Sequence, residues 1–243
     1  HAFFIRSNVA HANIKNIDIT EALKSDGVAA IYTGADIAAD GVGGPICGWT
    51  PTNRDGSAPK EPPHPLLANG KVRYVGDHIA VVIAESMEQA KSAAENVKID
   101  LEALAPVVDL STAIGNTQIH DEMDDNVYFD WELGDEKATA DALGSAAKVI
   151  ELTVTNNRVI PNAMEPRAAV AEYDETSESY TLYTSSQNPH LTRLVMAAFM
   201  MQIPESKLHV VAPDVGGGFG SKIYIYPEEA VCTWATKKLR RPI

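Results

Sequence analysis

Cysteine is nearly absent from this 243-residue chain. Cys47 and Cys232 stand far apart and frame no disulfide scaffold. There is no CxxC pair and no HExxH motif, so the common thiol-redox and zinc signatures are missing. Positive charge is scarce: 20 Lys and Arg face 33 Asp and Glu, a formal net charge of -13. A nucleic-acid binder neutralises phosphates with clustered Lys and Arg, so no nucleic-acid affinity is expected. No apolar run approaches the ~20 residues that a membrane helix needs, and no membrane span is expected. No initiator Met or signal segment precedes His1, and the chain stops at Arg240-Arg241-Pro242-Ile243 as an apolar stretch opens. Both ends are expected to be cuts in a longer chain. What remains is ordinary: 45% hydrophobic and 22% charged residues are typical of globular proteins. The length suits one large domain or two ordinary ones. Two such thiols fit a reducing, cytoplasmic compartment, or buried thiols acting as small hydrophobes.

Strands are expected over Ala2–Ile5, Val28–Tyr32, Lys71–Tyr74 and Ile79–Ala84, the last a continuous apolar run buried on both faces. A short helix is expected from Asp18 to Lys24, and a loop from Gly41 to Pro65, where Gly and Pro are dense. Ser86 and Gln89 form a capping box, and Met87, Ala90, Ala94 and Val97 stripe the helix behind it. A strand over 97–101 completes a strand–helix–strand unit. Residues 115–134 read as a crossing segment, Gly134-Asp135 starts a helix to about Ala147, and 149–154 alternates as a strand. Ala168–Tyr173 and Tyr180–Thr184 pair as strands across an acidic turn. Asn188 caps a helix with Pro189 at its first position. Leu191, Leu194, Val195, Ala198 and Phe199 supply that helix's buried stripe, leaving no spare apolar face. A strand over 208–212, a loop over 213–221 and a helix over 227–238 close the chain, with Glu228 and Glu229 complementing the last helix's dipole.

Chemistry gathers in Asp214-Val215-Gly216-Gly217-Gly218-Phe219-Gly220-Ser221-Lys222, directly after a strand. Consecutive glycines let a ligand reach the backbone and let N–H groups converge into an anion-holding nest. The spacing is neither GxGxxG nor GxxxxGK[ST]. A tight strand-exit turn explains the glycines equally well, but a Phe inside the loop is expected to pack and fix its shape. Gln187 stands at another strand-to-helix junction, so both features can face one crevice at the strands' carboxyl ends. Its amide can donate to a ligand oxygen, or serve only the local backbone. Glu165-Pro166-Arg167 reads as a partly buried structural ion pair. His64, His190 and His209 form no ligand cluster. Asp121, Glu122, Asp124 and Asp125 lack the order of a calcium loop and read as a solvated turn.

Together these segments resemble the large subunits of the molybdenum hydroxylases, the family of xanthine dehydrogenase, aldehyde oxidoreductase and aerobic carbon monoxide dehydrogenase. The resemblance rests on Gly216–Lys222, on Ser186-Gln187-Asn188-Pro189-His190, and on Asn162-Ala163-Met164-Glu165-Pro166-Arg167. It rests also on Pro65-Leu66-Leu67 with Val72-Arg73-Tyr74-Val75-Gly76-Asp77, and on the 84–101 unit. It implies an α/β (α+β) fold: a hammerhead α/β domain over 1–114, then a truncated molybdopterin-binding domain over 115–243. It implies a molybdenum-molybdopterin cofactor, in the cytosine dinucleotide form, held by Gln187, Gly217, Gly218, Phe219 and Gly220. Gln187 and Phe219 would lie near the molybdenum without ligating it. No catalytic residue is expected here, because the family's glutamate base lies beyond Ile243. The implied reaction oxidises an aldehyde, an N-heterocycle or carbon monoxide with water as oxygen source. Electrons pass to 2Fe-2S and FAD groups on a small and a medium partner subunit, in a dimer of heterotrimers. Ile223 stands where xanthine-type members carry a glutamate, which disfavours a purine substrate. The rival expectation is an inert truncated chain that binds cofactor or subunits.

Overall fold

The computed structural model describes all 243 residues. The chain opens with β1 (Ala2–Arg6) and β2 (Ala12–Asp18), makes one 3-10 turn at Ala22–Lys24, and runs through β3 (Val28–Thr33) into α1 (Gly34–Ala39). After the long loop come β4 (Lys71–Val72), β5 (His78–Ala84), α2 (Met87–Ala94) and β6 (Lys98–Ala103). The apolar run organises this half. β5 lies antiparallel between β1 and β3, and every one of its residues is buried. Burying each Val or Ile side chain contributes roughly 1.5–3 kcal/mol. A second three-stranded sheet, β4-β2-β6, packs around Ala12, Ala68, Val72 and Ile79.

An irregular stretch carries α3 (Glu136–Ser145), capped by Asp135 and without a buried residue. Then β7 (Ala169–Asp174) and β8 (Ser179–Thr184) form a hairpin, and α4 (Pro189–Val195) leads to β9 (Leu208–Val211) and α5 (Pro227–Leu239). β8 pairs antiparallel with β7 and parallel with β9. The carboxyl ends of β8 and β9 therefore lie at one edge of the sheet. Ile243 exchanges both backbone hydrogen bonds with Ala171, at 2.8 and 2.9 Å, the signature of an antiparallel pair beside β7.

The two halves share one core. Ile37, Leu66, Leu67, Val81 and Ile83 cluster with Leu182, Met196, Met200, Val231 and Trp234 in a group of 17 buried residues. No helix is long and apolar enough to cross a membrane.

Several local expectations fail for physical reasons. Asp18 ends a strand instead of starting a helix: its carboxylate accepts the Thr20 N–H at 2.9 Å and turns the chain. Ser86 caps α2, but the Gln89 side chain lies over side-chain-free Gly27 and donates to Asp26 instead of closing the box. The buried residues of α2 are Ala90 and Ala93. β5 and β6 join different sheets, so the strand–helix–strand segment bridges two layers. Residues 149–154 form no strand, because no neighbouring strand supplies ladder partners, and Ile150, Leu152 and Val154 stand exposed. α4 passes into a π-helical stretch at Met196–Met201, but its buried face already departs from the expected stripe in the regular turns before it. Thr192, Met196, Ala197 and Met200 face inward, and Leu191, Leu194 and Phe199 form an exposed apolar face.

Candidate functional site

Gln187 leaves β8, and the glycine loop leaves β9, at the same edge of the sheet. Gln187 Oε1 accepts the Gly220 N–H at 2.9 Å and the Lys222 N–H at 3.3 Å. The Gln187 N–H donates to Lys222 O at 2.9 Å. Two backbone donors dictate which end of the amide faces the loop, so the oxygen is spent inward and the Nε2 donor is left outward.

Within the loop, the Gly216 N–H goes to Glu165 Oε2 and the Gly217 N–H to Val215 O. Between Gly216 and Lys222 the Gly220 N–H is taken by Gln187, and only the N–H groups of Gly218 and Phe219 have no partner within the chain. The expected nest therefore narrows to two free amides beside the outward Gln187 amide. Gly217 and Gly220 adopt φ of +96° and +91°, and Phe219 itself sits at +52°. A left-handed conformation at a bulky residue is uncommon and persists where the surroundings over-determine it. Phe219 does not anchor the loop by packing: its ring is 73% exposed and lies against Gly217. The hydrogen bonds hold the loop, and the ring faces outward.

The glycines answer to close protein neighbours as well. A Cβ on Gly218 would fall 2.4 Å from the Gln187 side chain, and one on Gly216 2.7 Å from Glu165 Cβ. A Cβ on Gly220 would meet nothing within 4 Å, so its glycine serves the positive φ alone.

Glu165 and Arg167 do not pair with each other. Glu165 Oε2 accepts from Lys222 Nζ at 2.7 Å, and Lys222 is buried. Lys222, with help from the Gly216 N–H, holds the Glu165 carboxyl below its ordinary value. Arg167 donates to Ser221 O, Tyr224 O and the buried Glu229 carboxylate, and stacks 3.7 Å over the Tyr226 ring. Glu229 also accepts from the Tyr226 N–H and from the buried Thr184 hydroxyl. Its neighbour Glu228 meets His78 at 2.9 Å and Arg6 from the first half. The dipole of α5 thus accounts for only part of these two glutamates.

Sequence reasoning missed the Lys222 node and the His78–Glu228 contact, since both join residues remote in sequence. His190 and His209 border a small groove between α4 and β9, away from Gln187's partners. Asp121 and Asp124 pair with Lys71 and Lys60, and Asp125 accepts the Gly115 N–H. No group of three or more His, Cys, Asp or Glu side chains could hold a metal ion. What this end of the sheet offers is unpaired donors, the Gly218 and Phe219 amides and the Gln187 carboxamide N–H, suited to oxygen or anionic groups.

Comparison with known proteins gives two family matches. Residues 1–105 match the aldehyde oxidase and xanthine dehydrogenase a/b hammerhead domain, and residues 119–243 match the molybdopterin cofactor-binding domain. The nicotine 6-hydroxylase large subunit of Paenarthrobacter nicotinovorans is 34% identical, over 100% of this chain and 29% of its own length. The carbon monoxide dehydrogenase large chain of Hydrogenophaga pseudoflava is 32% identical, over 100% and 30%. The crystal structure of quinoline 2-oxidoreductase from Pseudomonas putida 86 superposes with a TM-score of 0.85 at 34% identity, over 100% of this chain and 30% of that one. The chain thus spans about 30% of the length of the relatives it matches.

Proposed function

The chain belongs to the aldehyde oxidase and xanthine dehydrogenase family of molybdopterin-dependent proteins, and we propose on that footing that it is part of an oxidoreductase large subunit whose cofactor lies against Gln187 and the 216–220 loop. The proposed division near residue 114 falls in the interval between the two matched stretches. The observation that carries the site is the fixed Gln187 amide: its oxygen is bound to Gly220 and Lys222, so it meets a ligand only as a donor.

The residues fit the cofactor. The free N–H groups of Gly218 and Phe219 and the Gln187 Nε2 are all donors, matching an oxygen-rich group. No side-chain ligand set competes for the metal, which suits a metal carried on an organic pterin. When bound, molybdenum-molybdopterin supplies two-electron oxidation of a substrate carbon, with water as the source of oxygen. The chain's own residues orient that group. Gln187 and Phe219 would sit near the metal, Gly217 and Gly220 would shape the loop, and the Gly218 amide would bind. Donors fixed before the ligand arrives add affinity and tuning without reorganisation.

The substrate is an aldehyde, an N-heterocycle or carbon monoxide. The cofactor takes the cytosine dinucleotide form. Electrons leave to 2Fe-2S and FAD on small and medium partner subunits, in a dimer of heterotrimers in the cytoplasm. The rival reading, an inert binding module, has no feature of the site in its favour. The test is metal analysis and dye reduction by the full-length protein, supplied in turn with an aldehyde, an N-heterocycle and carbon monoxide. Bound molybdenum with turnover of one class is the expected result. Full-length protein from a molybdenum-replete host that holds none would overturn the proposal.

A further inference from the structure

Lys222 is among the most completely buried side chains in the molecule, and it is a cation. Removing such a charge from water is costly unless it is paired and hydrogen-bonded. Lys222 Nζ donates to Glu165 Oε2 at 2.7 Å and to Glu165 O at 2.8 Å. The same Oε2 accepts the Gly216 N–H at 2.9 Å, and the Glu165 N–H returns to Gly216 O at 3.3 Å. One carboxylate oxygen therefore holds both ends of the Gly216–Lys222 segment. The backbone of Lys222 meanwhile gives its N–H to Gln187 Oε1 and takes the Gln187 N–H on its carbonyl. A single residue ties the approach to β7, the exit of β8 and the loop after β9.

We propose that Glu165 and Lys222 are a positioning pair: they clasp the glycine loop shut and thereby aim the Gln187 carboxamide and the free Gly218 and Phe219 amides at the cofactor. This rests on the reading above that the loop faces the cofactor. The loop needs such a clasp. Gly217, Phe219 and Gly220 all lie at positive φ, and the exposed Phe219 ring provides no packing anchor. Lys222 is buried but the Glu165 side chain is 38% exposed, so the pair contributes little net stability, and its hydrogen bonds fix one geometry among several. A salt link without a positioning role would leave the orientation of Gln187 alone. Here the Lys222 backbone is bonded directly to the group it would orient, so a shift of the lysine shifts the carboxamide.

The test uses the full-length enzyme, with and without cofactor, as wild type, Lys222→Met, Lys222→Arg and Glu165→Gln. Three quantities are read: amide hydrogen exchange across 216–222, molybdenum per protein, and kcat separately from KM. Exchange at the β5 amides reports whether the fold survives. Lys222→Met is expected to speed loop exchange at least about tenfold in the cofactor-free protein, with β5 still protected. Molybdenum content should fall, and the molybdenum-loaded fraction should lose kcat by about 10–100-fold, the usual cost of removing a group that supports a metal site, with KM little changed. Glu165→Gln should act in the same direction more weakly, and Lys222→Arg should restore part of the loss. If Lys222→Met does not fold, Glu165→Gln carries the same readouts. Wild-type loop exchange in the folded variants would overturn the clasp and leave the cofactor reading standing. A loosened loop with unchanged molybdenum and unchanged kcat would also overturn the proposal, and there the fault would lie with the cofactor reading.

Discussion

Trp234 and Asp40 are joined across 194 residues: the indole N–H donates to the Asp40 carboxylate at 2.9 Å. Lys238, one turn further along α5, meets the same carboxylate oxygen at 2.7 Å, and Tyr32 of β3 packs edge-on against the indole at 4.8 Å between centroids. The first half of the chain is thus seated on the last helix by a bond, a charge and a ring contact at one place.

That seat separates two costs. Trp234→Ala should destabilise the chain by about 3–5 kcal/mol, because a large buried ring leaves a cavity. Asp40→Asn should cost only about 0.5–1 kcal/mol, since Asp40 and Lys238 are partly exposed and solvent weakens their attraction. Denaturant unfolding of both variants checks the ratio. Equal losses would mean that the charge, and not the packing, seats the helix.

Acid should weaken the second contact between the halves. Burial alone would raise the Glu228 carboxyl, but the hydrogen bond and charge of His78, with Arg6, outweigh it and hold it below its ordinary 4.5. A lowered folded value stabilises the fold above the ordinary value, and the gain disappears as pH falls through the folded value. The thermal midpoint of wild type should exceed that of Glu228→Gln near neutrality, and the gap should close below about pH 4. A gap that widens on acidification would refute the assignment.

Gln187 has two ends, and two substitutions separate them. Gln187→Glu keeps an acceptor for the Gly220 and Lys222 amides but loses the outward N–H donor. Gln187→Ala loses both. In the full-length enzyme the Glu variant should keep the loop amides protected and lose turnover by about 10–100-fold, whereas the Ala variant should also expose the loop to exchange. Identical exchange in the two variants would show that the inward oxygen does not hold the loop.

The glycines should sort by cause. Gly218→Ala should displace Gln187, because its Cβ would fall 2.4 Å from that side chain. Gly220→Ala finds open space but must keep a positive φ, at a cost of about 1–2 kcal/mol. Molybdenum content should fall in the first and be largely kept in the second, with unfolding midpoints read beside it. The reverse order would mean that the loop's neighbours are misassigned.

What could be read from sequence was whatever a short window encodes. The apolar run of β5, the Ser86 and Asn188 caps and the β7–β8 hairpin all carry local signals, and all are present. α1 carried one too, since Thr33 and Asp36 cap each other, yet six residues gave too short a period to register. β2 is rich in Asn, Asp and Lys and owes its strand to pairing with β6, far along the chain. Residues 149–154 have the alternation of a strand and lack the partner. α4 misled through its apolar content, because Thr192, whose hydroxyl bonds Asn188 O and Ser186, turns inward in the first turn and leaves Leu191 and Leu194 outside. At the site, the meeting of Gln187 with the glycine loop followed from two strand ends sharing an edge. The Glu165–Lys222 clasp did not, because a lysine after a glycine loop looks like an exposed cation until the fold buries it.

The most direct measurement is anomalous diffraction at the molybdenum edge from crystals of the full-length enzyme. The account predicts an anomalous peak beside the Gln187 Nε2 and the free amides of Gly218 and Phe219, with Glu165 and Lys222 behind the loop and away from the metal. A molybdenum peak remote from Gln187 and from residues 216–220 would contradict it.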